Sequence, residues 1–297
     1  MQKIPVGPTI AFAYRFLVQE IGTVVGISWI PAVLFAGVNY LTRLYAFENR
    51  ALLDSNDAQT AVGYLLLSIV SLAVTLYASS IVAIAITRQV NGREGRERPP
   101  GVLLLYFAAG RSEWRMLGAN IRFLMASVAL LLLAAGVALA AFLIAGTPLN
   151  APEQMTPTGA SIAAALVAWA GMIYAFISIA QMGFLLPAVV TLEEKGGLRR
   201  AHELTKGNVW RVLAVVAALG LPVLLLVLGA EAAILRSVVG TDFGALTPTE
   251  FFDKAEEAME QKLLPWQIFS AIVFMLGSGL FYSGAAFAYR ARTSPER

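Results

Sequence analysis

Three arginines near the start of the third long apolar run have the spacing of a phosphate-binding stripe. Arg111, Arg115 and Arg122 lie within about 40° of one another on a continuous helix, because each residue turns the helix by about 100°. Guanidinium groups at a membrane surface can hold a lipid phosphate by bidentate hydrogen bonds. The alternative is that Arg122 extends its side chain to the cytoplasmic interface and only fixes the orientation of the helix.

Polar residues within or at the edge of other apolar runs are further candidates, because a charge inside a span is costly and often functional. Glu231 follows Val212 by about 30 Å of helix, which predicts a position at the outer interface. It is either an interfacial charge or the partner in a hydrogen bond between helices, or it is a contact for a substrate or ion. We expect Gln181, Asn39 and Asn120 to make hydrogen bonds between helices.

The chain lacks the residue clusters on which most membrane enzymes depend. It has no cysteine and one histidine, His202, which cannot form a usual zinc site alone. A general-base role for His202 is conceivable, but a solvated side chain is the favoured interpretation. No zinc-protease, serine-hydrolase or phosphate-loop motif occurs. The sequence therefore predicts no catalytic residue, metal site or cofactor.

The elements that must position these residues are membrane-spanning helices. Hydrophobic residues make up 58% of the 297 positions and charged residues 14%, against roughly 45–50% and 25% in soluble domains. The net charge of +3 is too small and dispersed to suggest nucleic-acid binding. Because about 20 apolar residues cross a bilayer as a helix, we predict a single all-α domain with six spans, at about 21–42, 61–87, 119–145, 160–190, 210–234 and 265–289.

The distribution of basic residues predicts the orientation of these spans. The N-terminal segment, the loops at 88–122 and 193–211, and the C-terminal segment hold 17 of the 22 basic residues. These segments alternate with the other loops, so all four lie on one side, which the positive-inside rule makes cytoplasmic. Both termini are thus expected inside. The first residues lack a cleavable signal pattern, so we expect them to be retained.

Helices are also predicted in the loops. Residues 102–116 suit a helix lying along the cytoplasmic interface, and residues 198–206 a short helix that ends at Gly207. On the outer side, Thr247-Pro-Thr-Glu250 is a capping box. It predicts the start of an amphipathic helix that rests on the bundle with its acidic residues facing away.

One loop resembles a signature segment of bacterial six-helix membrane proteins. The matching residues are Leu198-Arg-Arg, Glu203-Leu-Thr-Lys-Gly-Asn208 and Trp210-Arg211, after a span that ends in Leu185-Leu-Pro187. The segment is similar to the membrane domain of glycerophosphoryl diester phosphodiesterases and to allied inner-membrane families. The resemblance implies a bacterial inner-membrane module. It does not imply phosphodiesterase activity, which in that family belongs to a separate soluble domain.

Three functions remain compatible with these observations. The favoured hypothesis is a non-enzymatic inner-membrane module that binds lipid or a membrane partner. Such a module could form a homo-oligomer through glycine-bearing spans, at Gly22, Gly26, Gly277 and Gly284. The alternative is a transporter or permease for a small or lipid-like solute, and a less favoured one is a lipid-modifying enzyme that uses His202. Membrane lipids are the expected partners.

Overall fold

The computed structural model describes residues 3–55, 57–92, 110–145, 159–193, 197–239 and 247–294. Within these residues the chain is all α-helix, and no strand is present. The helices are α1 (Val6–Gln19), α2 (Ile21–Glu48), α3 (Arg50–Asp54), α4 (Ala58–Gly92), α5 (Arg111–Ile144), α6 (Gly159–Phe184), α7 (Leu186–Leu192), α8 (Leu198–Thr205), α9 (Val209–Val239), α10 (Pro248–Gln261) and α11 (Leu263–Thr293).

Six of these segments are long and apolar enough to cross a membrane, as predicted. They are α2, α4, α5, the α6–α7 pair, α9 and α11. Each begins at or before the predicted start and all but α5 end after the predicted end, because a helix continues past the hydrocarbon wherever its backbone can still bond within itself. Large apolar side chains on α5, α6 and α9 remain exposed, Leu132, Leu166 and Leu225 among them. Such surfaces suit contact with lipid.

The helix α11 lies at the centre of the bundle and contacts α1, α2, α4, α7 and α9. Glycines allow the closest approaches. A Cβ atom built on Gly284 would lie 2.8 Å from the Leu219 side chain, and one on Gly279 would lie 2.9 Å from Val24. By contrast, Gly22 of the predicted packing motif has open space where a Cβ would be. The close packing of Leu219 and Val24 against α11 therefore depends on Gly284 and Gly279.

An N-terminal helix that the sequence analysis did not predict precedes the first span. Helix α1 is separated from α2 only by Glu20, and it packs mainly on α11 and α9. Its buried residues Thr9, Ala13 and Phe16 recur at helical spacing on one face. That periodicity is the sequence pattern from which α1 could have been predicted. At 14 residues, however, α1 is too short to be detected as a span.

Two other boundaries differ from the predicted ones. Residues 111–116, predicted as part of a separate interfacial helix, form the first turns of the long helix α5. The rest of that predicted helix, at 102–109, lies outside the described residues, as does the predicted turn at Glu153. The fourth span breaks at Leu185, because Pro187 has no N–H to donate to the Gly183 carbonyl and its ring crowds that carbonyl. The loop helices α8 and α10 form as predicted, and Gly207 ends α8 with a φ of 78°.

Candidate functional site

One end of the bundle collects most of the charged side chains that make specific contacts. This end, here called the basic end, comprises the starts of α5 and α9, helix α8, the ends of α4 and α11, and the N-terminal segment before α1. Hydrogen bonds and ion pairs connect these elements, including Arg88 to Ser112, Arg211 to Ile4 and Arg292 to Leu204. The opposite end carries α3 and α10.

The predicted arginine stripe forms on a continuous helix at the basic end. Helix α5 has no break between Arg111 and Arg122, and the side chains of Arg111, Arg115 and Arg122 are all exposed. In the described part of the chain, neither Arg111 nor Arg122 pairs with a carboxylate. The exposure of all three side chains makes the stripe accessible to a ligand.

An exposed apolar surface continues the stripe along α5. Residues five turns further on, at about 3.6 residues a turn, repeat the directions of the three arginines. These residues are Ala129, Leu133 and Ala140, and all are exposed. Arginine groups followed by an apolar face match the order of groups in a phospholipid, from phosphate to acyl chain. The arrangement can hold phospholipid along the outside of the bundle.

Beside the stripe, α5 buries a carboxylate that the sequence analysis did not single out. The side chain of Glu113 is only 2% exposed, and its Oε1 lies 3.6 Å from the Arg88 guanidinium. Ser112 Oγ accepts a hydrogen bond from Arg88 at 2.5 Å. The sequence pattern that could have predicted its burial is the position of Glu113 three residues before Met116, on the face of α5 that packs inward. This pair fixes the start of α5 against α4.

The segment 198–211 clamps Ile4, which precedes α1. Asn208 Oδ1 accepts a hydrogen bond from the Ile4 amide at 3.2 Å, and Arg211 donates one to the Ile4 carbonyl at 2.9 Å. Ile4 itself is fully buried. Buried backbone N–H and C=O groups need hydrogen-bond partners. Because Ile4 precedes α1 and is outside any helix, two side chains supply the partners for its N–H and C=O groups.

The same loop is joined to the last helix by charged contacts. Arg200 donates to both oxygens of Glu193, at 3.1 and 3.0 Å, and Tyr289 donates to Glu193 Oε1 at 3.0 Å. Arg292, which is buried, donates to the Leu204 carbonyl at 3.1 Å. Among the residues of the motif, Arg200, Asn208 and Arg211 therefore hold the basic end together.

Two predicted candidates at this end have no ligand-like geometry. Gln181 is buried between α6 and α8, where its backbone carbonyl accepts a hydrogen bond from Thr205 at 3.1 Å. His202 has an exposed side chain, for which the described part of the chain provides no hydrogen bond or ion pair. Asn39 and Asn120 make the predicted hydrogen bonds between helices: Asn39 Oδ1 accepts one from Ser71, and Asn120 Nδ2 donates one to Ser80.

At the opposite end, Glu231 lines a groove between α9 and α10. The groove has a volume of about 350 Å³. Glu231 is exposed and is the only charged residue among the described residues that line it. The walls are apolar, with Leu228, Ile234 and Leu235 on α9 and Phe251, Ala255 and Met259 on α10.

Metal-binding geometry is not found in the described residues. They contain no group of three or more histidine, aspartate or glutamate side chains that could hold a metal ion.

Comparison with family models, with curated proteins and with solved structures gives no match to this chain.

Proposed function

We propose that the chain is a non-enzymatic module of a bacterial inner membrane that binds anionic phospholipid along α5. The observation that carries this proposal is the exposed stripe of Arg111, Arg115 and Arg122, continued by exposed apolar residues on the same face. Headgroup phosphates would bind the guanidinium groups, which are spread over about 16 Å of helix, and acyl chains would lie against the residues around Leu133. The Arg88–Glu113 pair supports the site by fixing the start of α5.

The proposal includes an orientation with the basic end and both termini in the cytoplasm. Anionic lipids give the cytoplasmic leaflet a negative surface, and each nearby basic residue contributes roughly 1 kcal/mol of attraction to it. The stripe would then face the leaflet in which its ligand is concentrated. Membrane lipid is the partner in this proposal, and a membrane protein docked on the same face is the competing occupant.

The interior of the bundle favours such a module over a permease. The polar side chains of Asn39 and Asn120 bind Ser71 and Ser80 on neighbouring helices, so they are engaged in helix packing. The features that would favour an enzyme are also weak, because His202 has no orienting partner among the described residues. A general base normally needs such a partner to hold its ring.

The test is lipid retention by a variant in which Arg111, Arg115 and Arg122 are all replaced by glutamine. We expect the retention of anionic phospholipid, measured by native mass spectrometry, to weaken by up to about 3 kcal/mol, or roughly 150-fold. Retention of zwitterionic lipid should change little, because the variant loses charge and keeps its apolar surface.

A matched control removes the same charge from the same end, away from the stripe. Lys3, Arg199 and Lys206 are exposed, and their replacement by glutamine should leave most of the anionic-lipid retention intact. Equal losses in the two triple variants would mean that only net charge matters. Unchanged retention in the stripe variant would leave the three arginines with the role of fixing orientation.

A further inference from the structure

The groove between α9 and α10 combines an apolar interior with one carboxylate at its wall. Glu231 has no hydrogen bond or ion pair in the part of the chain that the structure describes. Arg236, the nearest cation along α9, lies about 140° around the helix from Glu231. A carboxylate beside an apolar surface favours a ligand whose cationic group can pair with that carboxylate.

The surroundings of the groove strengthen the preference for a cation. Helix α10 carries five carboxylates and one lysine. The Arg50 guanidinium pairs with two of these acids, Glu256 at 3.0 Å and Asp253 at 3.6 Å, on the face away from the groove. Glu250, Glu257 and Glu260 are the remaining acids, and the excess of carboxylates on α10 favours cations near this helix.

The size of the groove limits what it can hold. Its volume of about 350 Å³ lies at the small end of the roughly 300–1,000 Å³ of pockets that enclose small molecules. That space fits one short apolar group, and a phospholipid with two acyl chains is too large for it. The aromatic ring of Phe251 and the flexible chain of Met259 line the wall against which an apolar group would pack.

We propose that this groove binds a small amphipathic amine, with the ammonium group paired to Glu231 and the apolar part between α9 and α10. The site is separate from the arginine stripe, because it lies at the opposite end of the bundle and selects the opposite charge. The groove is open, so binding requires no movement of the polypeptide.

The experiment measures equilibrium binding of octylamine to the full chain in nanodiscs of phosphatidylcholine, with empty nanodiscs subtracted. Octanol has the same apolar chain without the charge and serves as the neutral probe. The wild-type protein should bind octylammonium at least tenfold more tightly than octanol. In Glu231→Gln this preference should disappear while octanol binding stays the same, because only the ion pair is lost.

Two further variants distinguish the groove from general charge attraction. Ala255→Trp should abolish binding of both probes by filling the apolar space. Glu260→Gln, on an exposed position of α10 that does not line the groove, should leave octanol binding unchanged and weaken octylammonium binding by less than about twofold, because it removes only a distant charge. The proposal is wrong if Glu231→Gln keeps the preference for octylammonium. It is also wrong if added phosphatidylethanolamine displaces the probe, because the occupant would then be a lipid.

Discussion

Glu113 is buried at the start of α5, and Arg88 beside it must offset the free-energy cost of burying the carboxylate. A buried carboxylate without a cation is strongly destabilising, whereas removal of both members of a pair is often nearly neutral. Glu113 Oε1 accepts no hydrogen bond within the described residues and depends on Arg88 at 3.6 Å. The two residues should therefore behave as a unit when they are substituted.

Substitution of this pair is expected to be non-additive. Arg88→Gln should lower the free energy of unfolding by about 1–3 kcal/mol. This is less than the about 3–5 kcal/mol of fully buried pairs, because Arg88 is half exposed. Glu113→Gln should cost less, and the double variant should be more stable than Arg88→Gln alone. Unfolding in detergent micelles checks this, and strictly additive losses would contradict the coupling.

Some of these residue positions and contacts could be predicted from the sequence, and others could not. The phase of Arg111, Arg115 and Arg122 follows from helical periodicity alone, so their common direction could be predicted. The partnership of Arg88 with Glu113 joins two helices across a loop, and no local pattern specifies which side chains meet there. The clamp on Ile4 was beyond prediction for the same reason.

Local signals define the helix starts at the opposite end of the bundle. Thr247 and Glu250 form the reciprocal capping box that the sequence predicted, and Asp57 accepts hydrogen bonds from the Thr60 amide and hydroxyl at the start of α4. Hydrogen bonds from the Thr247 backbone and side chain lower the pKa of Glu250 below its usual 4.5. Those from the Thr60 backbone and side chain lower the pKa of Asp57 below 3.8.

The start of α10 should lose protection in acid. A carboxylate whose pKa is lowered by folding contributes its stabilisation fully above its usual value, and this is lost as the pH falls through the lower folded value. Hydrogen exchange in the first turn of α10, corrected for intrinsic rates, should therefore accelerate below about pH 4.5. Glu250→Gln should remove this dependence and keep the cap, whereas Glu260→Gln should retain it. Persistence of the dependence in Glu250→Gln would exclude the cap as its cause.

The success of prediction differed between kinds of helix. Spans were predictable because apolar length is a property of the local sequence, and α10 was predictable because its cap is encoded within four residues. Helix α1 depends on packing against α9 and α11, which lie some 200 residues later in the chain. Its tertiary contacts, rather than its own sequence, determine where it lies.

The whole molecule has two chemically different ends, and their sidedness is open to direct measurement. Reporter fusions at residue 95, at residue 202 and at the C-terminus should behave as cytoplasmic, and those at 54 and 245 as external. The physical reason is the excess of basic residues at the first three sites. An external result at 95 or 202 would reverse the orientation and with it the leaflet that the arginine stripe faces.

The clamp on Ile4 has a consequence for biosynthesis. Residues Asn208 and Arg211, which hold Ile4, are translated some 200 residues after it. At about 5–20 residues per second, roughly 10–40 s pass before the ribosome has made them. Throughout this interval the first segment of the chain lacks the partners for its backbone, so α1 docks only after the fifth span is made. The earliest residues to be synthesised are thus among the last to reach their final positions.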